Sequence, residues 1–225
     1  IVRSLNKGVN LSNSGLIARL DADDYSLPHR LEKQIAFMEQ HPEIILCGTR
    51  YKELVGKKTF SQIVQFVEKD EDIRKYLSCF NPLSHSTIMF RKKAFLNSGG
   101  YNQKFKYSHD YDLWVKMLKT GKAWNLNEEL NVVRLSDQST SYNNLRQQKL
   151  EGLYIRWNAF QNFGGTPSKF LYYLTKLYCI FFLNYLNFYQ NLQKCQKGSK
   201  FHTKLLDSLL PLRNLLPLTQ LLQYN

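Results

Sequence analysis

Apolar positions in this chain fall into helically spaced sets and a continuous run. Leu27, Leu31, Ile35 and Met38 recur at helical spacing, with Ser26 placed as N-cap and Pro28 tolerated in the first turn, so a helix is predicted up to the break at His41-Pro42. Ile44-Ile45-Leu46-Cys47, a continuous apolar run bounded by Gly48, predicts a buried strand. Further on, Leu113, Trp114, Met117 and Leu118 share one helical face, Gly121 closes that helix, and Asp110 falls in its first turn. Alternating strands and helices of this kind predict an α/β sheet.

The apolar run that begins at Ile17 ends abruptly in Asp21-Ala22-Asp23-Asp24. Two carboxylates at i and i+2, at the end of a strand where the backbone turns, suit a hard divalent cation whose remaining positions go to diphosphate oxygens and water. The plain alternative is an acidic loop with Asp24 or Ser26 capping the next helix. The cluster sits between a predicted strand and a predicted helix, where open α/β sheets bind ligands.

Two spaced blocks carry a family resemblance. The first is Ala18-Arg19-Leu20-Asp21-Ala22-Asp23-Asp24 with the Leu27-Pro28-x-Arg30-Leu31-Glu32-x-Gln34 that follows. The second runs through Asn81-Pro82, His85-Ser86-Thr87-Ile88-Met89-Phe90-Arg91, Gly99-Gly100-Tyr101 and His109-Asp110-Tyr111-Asp112-Leu113-Trp114. In order and approximate spacing they resemble the family-2 glycosyltransferases over roughly residues 1 to 142. The resemblance implies a GT-A fold, a Rossmann-like nucleotide-diphospho-sugar transferase sheet.

It also implies roles. Asp21 and Asp23 correspond to the Asp-x-Asp that binds the nucleotide and a divalent metal, Mg²⁺ or Mn²⁺, with Arg19 beside them on the nucleotide side. Asp110 corresponds to the general base of inverting members, whereas read alone it is a carboxylate complementing a helix dipole. Arg134 corresponds to a diphosphate contact, against the reading of a solvated strand-edge arginine. His85, His109 and Trp114 fall on the acceptor side, although His85 reads equally as a satisfied histidine at a strand start. Two positions depart from the pattern. His109 stands where the family usually has Glu, and a protonated imidazole there would lower the pKa of Asp110. Ser136, in Arg134-Leu135-Ser136-Asp137, stands where many relatives carry His.

Family members usually open with a strand, a turn, a helix and two further strands. This chain opens at Ile1 with Ser4–Leu11, which matches the helix before the acidic strand. The expectation is therefore a sheet lacking its first strands, with weakened nucleotide binding and a helical C-terminal extension: residues 1–142 as a partial GT-A domain, 143–225 as the extension.

Composition separates these parts. The chain has 225 residues, 43% hydrophobic, and a net charge of +13; the last 75 residues hold 8 Lys or Arg against 2 Asp or Glu. Residues 170–186 are apolar almost throughout, interrupted by Lys176 and Asn184. Spanning needs about 20 predominantly apolar residues, so an interfacial helix over 169–204, attracted to anionic lipid by Lys194, Lys197, Lys200 and Lys204, stands beside a helix packed on a sheet or partner chain. The four cysteines show no paired spacing and read as reduced cytoplasmic thiols.

The leading reading is an inverting glycosyltransferase that takes a nucleotide sugar, with a UDP-sugar favoured, to a glycan or lipid-linked acceptor in surface polysaccharide or lipopolysaccharide synthesis. Its expected place is cytoplasmic, on the inner face of a membrane. A nucleotidyltransferase also uses Asp-bound metal, but the Asp110 block does not resemble one. A basic lipid- or nucleic-acid-binding fragment rests on charge and aromatics alone, and nucleic acid is not expected as a partner.

Overall fold

The computed structural model describes residues 1–61, 65–135 and 144–165. Six helices, numbered α1 to α6, and six strands, β1 to β6, occupy these residues. A six-stranded sheet runs β1-β5-β3-β6-β2, with β4 (Lys58–Ser61) hairpinned onto β3. Its spine is the parallel pair of two long strands, β3 (Ile44–Val55) and β6 (Lys122–Leu135). β5 (Met89–Arg91) lies antiparallel to β3 and to β1 (Leu16–Ala18), and β2 (Tyr25–Ser26) lies antiparallel to β6. The result is a mixed α/β sheet.

β3 continues well past the predicted stop at Gly48. The reason is packing: a Cβ at Gly48 would sit 2.0 Å from Oδ1 of Asn125 on β6, so glycine permits close approach inside the strand rather than ending it. Asn125 is itself fixed, its amide donating to the carbonyls of Val67 at 2.6 Å and Pro82 at 3.1 Å.

Two apolar clusters cover the sheet. The smaller holds Met38, Ile44, Cys47 and Met89; the larger gathers Leu46, Ile88, Phe90, Leu113, Trp114 and Met117 with Ile155 and Ala159 from the helix α6 (Leu145–Phe163). Cys47 and Cys79 are free and buried, and burial pushes the Cys47 thiol up to about 12. The Cys179 and Cys195 reading, and the membrane or packing reading of 169–204, lie outside the described residues. Among the described residues no helix is long and apolar enough to cross a membrane.

The helix α2 (Arg30–Gln40) corrects two expectations. It begins after His29, which has φ 66°, and Ser26 lies in β2 instead of capping it. Its buried face is Arg30, Gln34 and Met38, while Leu31 and Ile35 point outward at 50% and 37% exposure. Apolar spacing misassigned the inner face because Arg30 and Gln34 are buried for their donors. Arg30 reaches the carbonyls of Arg19 at 2.8 Å and Ile88 at 3.4 Å and the Gln34 amide oxygen at 3.0 Å. Gln34 donates onward to the carbonyls of Cys47 and Thr87. Burial lowers the Arg30 pKa to about 10, which leaves it charged at neutral pH.

α1 (Val2–Leu11) contains the predicted Ser4–Leu11. α3 (Asp70–Tyr76) and α4 (Lys92–Asn97) flank the larger cluster. α5 (His109–Met117) ends at Leu118, not at Gly121, whose missing side chain instead admits Ile45, with a Cβ there 2.6 Å from Ile45 Cγ2.

Candidate functional site

Antiparallel pairing of β1 with β5 sets Ala18 opposite Met89 and the Arg19 amide on the Ile88 carbonyl at 2.8 Å. The chain leaving β1 therefore meets the short 3₁₀ turn His85–Thr87 that enters β5. Ser86 bridges the two: its hydroxyl donates to Asp21 Oδ2 at 2.8 Å and accepts from the Asp21 amide at 3.1 Å. Asp21 Oδ1 accepts from the Arg19 guanidinium. Burial works to raise the Asp21 pKa, but the Arg19 charge and the Ser86 hydroxyl outweigh it and hold the carboxyl below its usual range. Arg19 is thus the internal cation of this loop.

Asp23 is exposed, and its carboxylate makes no hydrogen bond or ion pair among the described residues. Asp24 is partly buried and takes the main-chain N–H of Arg134 at 2.8 Å; burial raises its pKa. Arg134 adds a contact from Nε to the Asp23 carbonyl at 3.3 Å and from its terminal nitrogen to the Tyr25 hydroxyl at 2.7 Å. The structure therefore brings Arg134 from the end of β6 to the acidic loop. Ser136 and Asp137 lie outside the described residues.

Asp110 occupies the first turn of α5, partly open to a cavity of about 260 Å³ lined by Tyr51, Phe80, Asn81, Ser84 and His85 as well. Asn81 donates its side-chain amide to Asp110 Oδ2 at 3.0 Å. The Asp110 pKa is raised. Burial is the main cause, the Asp21 charge adds to it, and His109 opposes it without reversing the sign. The expected sign of the His109 contribution holds, since its charge lowers the Asp110 pKa, but desolvation outweighs it and the net shift is upward. That Asp21 bears on Asp110 at all places the two carboxylates in one electrostatic neighbourhood.

His85 lies against the Tyr101 hydroxyl at 2.8 Å, and burial pulls its pKa down to about 3, so it is a neutral imidazole at working pH. Its ring meets those of His109 at 5.5 Å and Trp114 at 6.0 Å. Trp114 is fully buried and His109 is 9% exposed, and neither lines the cavity; of the three expected on the acceptor side, only His85 does. Among the described residues, both ring nitrogens of His109 and the indole nitrogen of Trp114 lack a hydrogen-bond partner.

Can these residues hold a divalent cation? Among the described residues no three His, Cys, Asp or Glu side chains cluster to cage one. Asp21 and Asp23 offer hard oxygens, Asp21 ionised and Asp23 exposed and without a partner among the described residues, which fits a cation shared with a diphosphate and water.

Sequence reasoning missed Asn81, Ser86 and Tyr101 as site residues, though all three stand inside the quoted blocks. Glu151, whose carboxylate holds the chain entering α5, gave no local signal.

Residues 1–98 match the glycosyl transferase family 2 model. Over 121 residues the chain is 35% identical to the amylovoran biosynthesis glycosyltransferase AmsE of Erwinia amylovora, covering 53% of this chain and 44% of that one. Over 140 residues it is 36% identical to the O-antigen biosynthesis glycosyltransferase WbnJ of Escherichia coli, covering 61% and 54%. The chain spans about half the length of the curated relatives it matches. The crystal structure of S. aureus TarS 1-349 aligns with a TM-score of 0.52 at 12% identity, covering 75% of this chain and 47% of that one, a likeness of fold. The architecture is GT-A.

Proposed function

We propose that this chain, which over residues 1–98 belongs to glycosyl transferase family 2, carries the donor loop and the base of an inverting transfer from a nucleotide-diphosphate sugar to an acceptor hydroxyl. The observation that carries the reading is Asp110: a carboxyl with a raised pKa, held by Asn81 at the mouth of a cavity, in the field of Asp21. A base whose pKa moves towards the working pH gains driving force for proton abstraction. Asp110 takes the proton of the acceptor hydroxyl as that oxygen attacks the anomeric carbon, and the sugar–phosphate bond breaks on the opposite face, inverting configuration.

On the donor side, Asp21 and Asp23 would hold Mg²⁺ or Mn²⁺, which when bound would neutralise charge on the departing diphosphate. Arg19 sets the ionisation of Asp21, and Arg134 sits over the Asp23 carbonyl with its guanidinium at the loop's edge, suited to a phosphate oxygen. The two relatives named for amylovoran and O-antigen biosynthesis support a glycan acceptor; a lipid-linked glycan and a UDP-sugar are the acceptor and donor to try first.

The test is Asp110→Asn in the full chain, assayed for nucleoside diphosphate release from UDP- and GDP-hexoses with Mn²⁺ and neutral glycoside acceptors. Transfer should be abolished with nucleotide affinity retained. Equal loss of both would reject the division of roles.

A further inference from the structure

The turn that leads into Asp110 is gripped by a helix from beyond the family-matched segment. Glu151, on α6, is 6% exposed. Its Oε2 accepts the main-chain N–H groups of Tyr107 and Ser108, each at 2.9 Å, and its Oε1 accepts that of Lys106 at 3.1 Å and the Gln147 side-chain amide at 3.4 Å. Around it the Tyr107 hydroxyl donates to Asn144 Oδ1 at 2.8 Å, and the Ser108 hydroxyl to the Gln148 carbonyl at 3.4 Å.

Three consecutive backbone donors converging on one buried carboxylate compensate its desolvation, and the charge lies where the positive end of the α5 dipole emerges. Ser108 is the N-cap residue of α5, yet its own side chain makes no cap hydrogen bond. The direction in which α5 starts is therefore set from α6, two residues before Asp110.

We propose that Glu151 is a positioning residue: by fixing Lys106, Tyr107 and Ser108, it fixes how the first turn of α5 presents Asp110 to the cavity. The proposal rests on the reading of Asp110 as the acceptor base. A simpler role, stapling α6 to the sheet domain, would affect stability and leave the surroundings of Asp110 alone.

The experiment compares Glu151→Gln and Glu151→Asp with the unsubstituted full chain. Glu151→Gln keeps the volume but turns one acceptor oxygen into an NH₂ group facing backbone donors. Two quantities are read: amide hydrogen exchange at Lys106, Tyr107 and Ser108, and the titration midpoint of the Asp110 carboxyl by carbon NMR, assigned with Asp110→Asn. The other groups facing Asp110, namely Asn81, His85, Tyr101, His109, Tyr111 and Asp21, are unchanged in both variants. Exchange at the three amides should rise at least tenfold in Glu151→Gln, and the Asp110 midpoint should move down towards an ordinary aspartate as the turn opens to water. Glu151→Asp, with a shorter reach, should show the same two changes more weakly, and it serves alone if Glu151→Gln does not fold. Unchanged exchange, or faster exchange with an unmoved Asp110 midpoint, would overturn the proposal. If instead both quantities respond while Asp110→Asn still transfers sugar, the positioning stands and the base assignment falls.

Discussion

The main-chain nitrogen of Arg134 donates to the carboxylate of Asp24 at 2.8 Å, across 110 positions of sequence. That bond pins the end of β6 to the acidic loop and separates the three aspartates by task. Asp24 is an anchor, Asp21 is tied to Arg19 and Ser86, and Asp23 is exposed with a carboxylate that has no partner among the described residues.

From this separation, Asp24→Asn should be mild, because the amide oxygen still accepts from Arg134. Asp23→Asn should remove most of the Mn²⁺ dependence of nucleoside diphosphate binding. Calorimetry on the two variants checks it, and equal losses would show that Asp24 shares the ligand.

Asp110 makes a prediction about stability with a definite sign. Its folded pKa lies above its unfolded value, so the native state holds the proton more tightly, and ionising the buried carboxyl costs stability as pH rises through the folded pKa. Asp110→Asn should therefore melt higher than the parent at pH 7 to 8, with the gap closing below the unfolded pKa of about 3.9. Thermal unfolding across pH reads this directly. Transfer itself should fall on the acid side at a pH above the ordinary aspartate range. His85, neutral above about 3, contributes no step there.

How much of this was legible in the sequence follows from how local each signal is. The acidic loop after a strand and Asp110 in a first helical turn are local patterns, and both stand where the spacing put them. The inner face of α2 was not legible, because hydrophobic periodicity assumes an apolar interior and here Arg30 and Gln34 are buried to satisfy the carbonyls of Arg19, Cys47, Thr87 and Ile88. Glu151 was invisible for a related reason: its partners are backbone N–H groups 43 to 45 residues away, which leave no mark on residue type. Gly48 and Gly121 read as element ends when both are close approaches inside the fold.

Arg30→Met tests the buried polar face. It removes a charged donor group from the Arg19 and Ile88 carbonyls and strands the Gln34 oxygen, a loss of about 3 kcal/mol for hydrogen bonds to a charged group. Denaturant unfolding should show a lower midpoint. Arg30→Lys should recover little of it, since one ammonium cannot reproduce a fork that meets the Arg19 and Ile88 carbonyls and the Gln34 oxygen together.

Gly48→Ala should destabilise by about 2 kcal/mol through overpacking. The new methyl meets the Asn125 side chain, which cannot swing away without breaking its bonds to the Val67 and Pro82 carbonyls. Since Pro82 lies beside Asn81, the strain should also reach the cavity at Asp110. A melting temperature equal to the parent's would show that Asn125 yields freely.

The most direct measurement is titration of the chain with UDP and GDP by calorimetry, with Mn²⁺ present and then chelated, beside an Asp21→Ala, Asp23→Ala double variant. The account predicts binding that requires Mn²⁺ and disappears in the double variant while its melting transition stays cooperative. Binding of equal strength with the metal chelated, or retained in the folded double variant, would contradict a donor site built on Asp21 and Asp23.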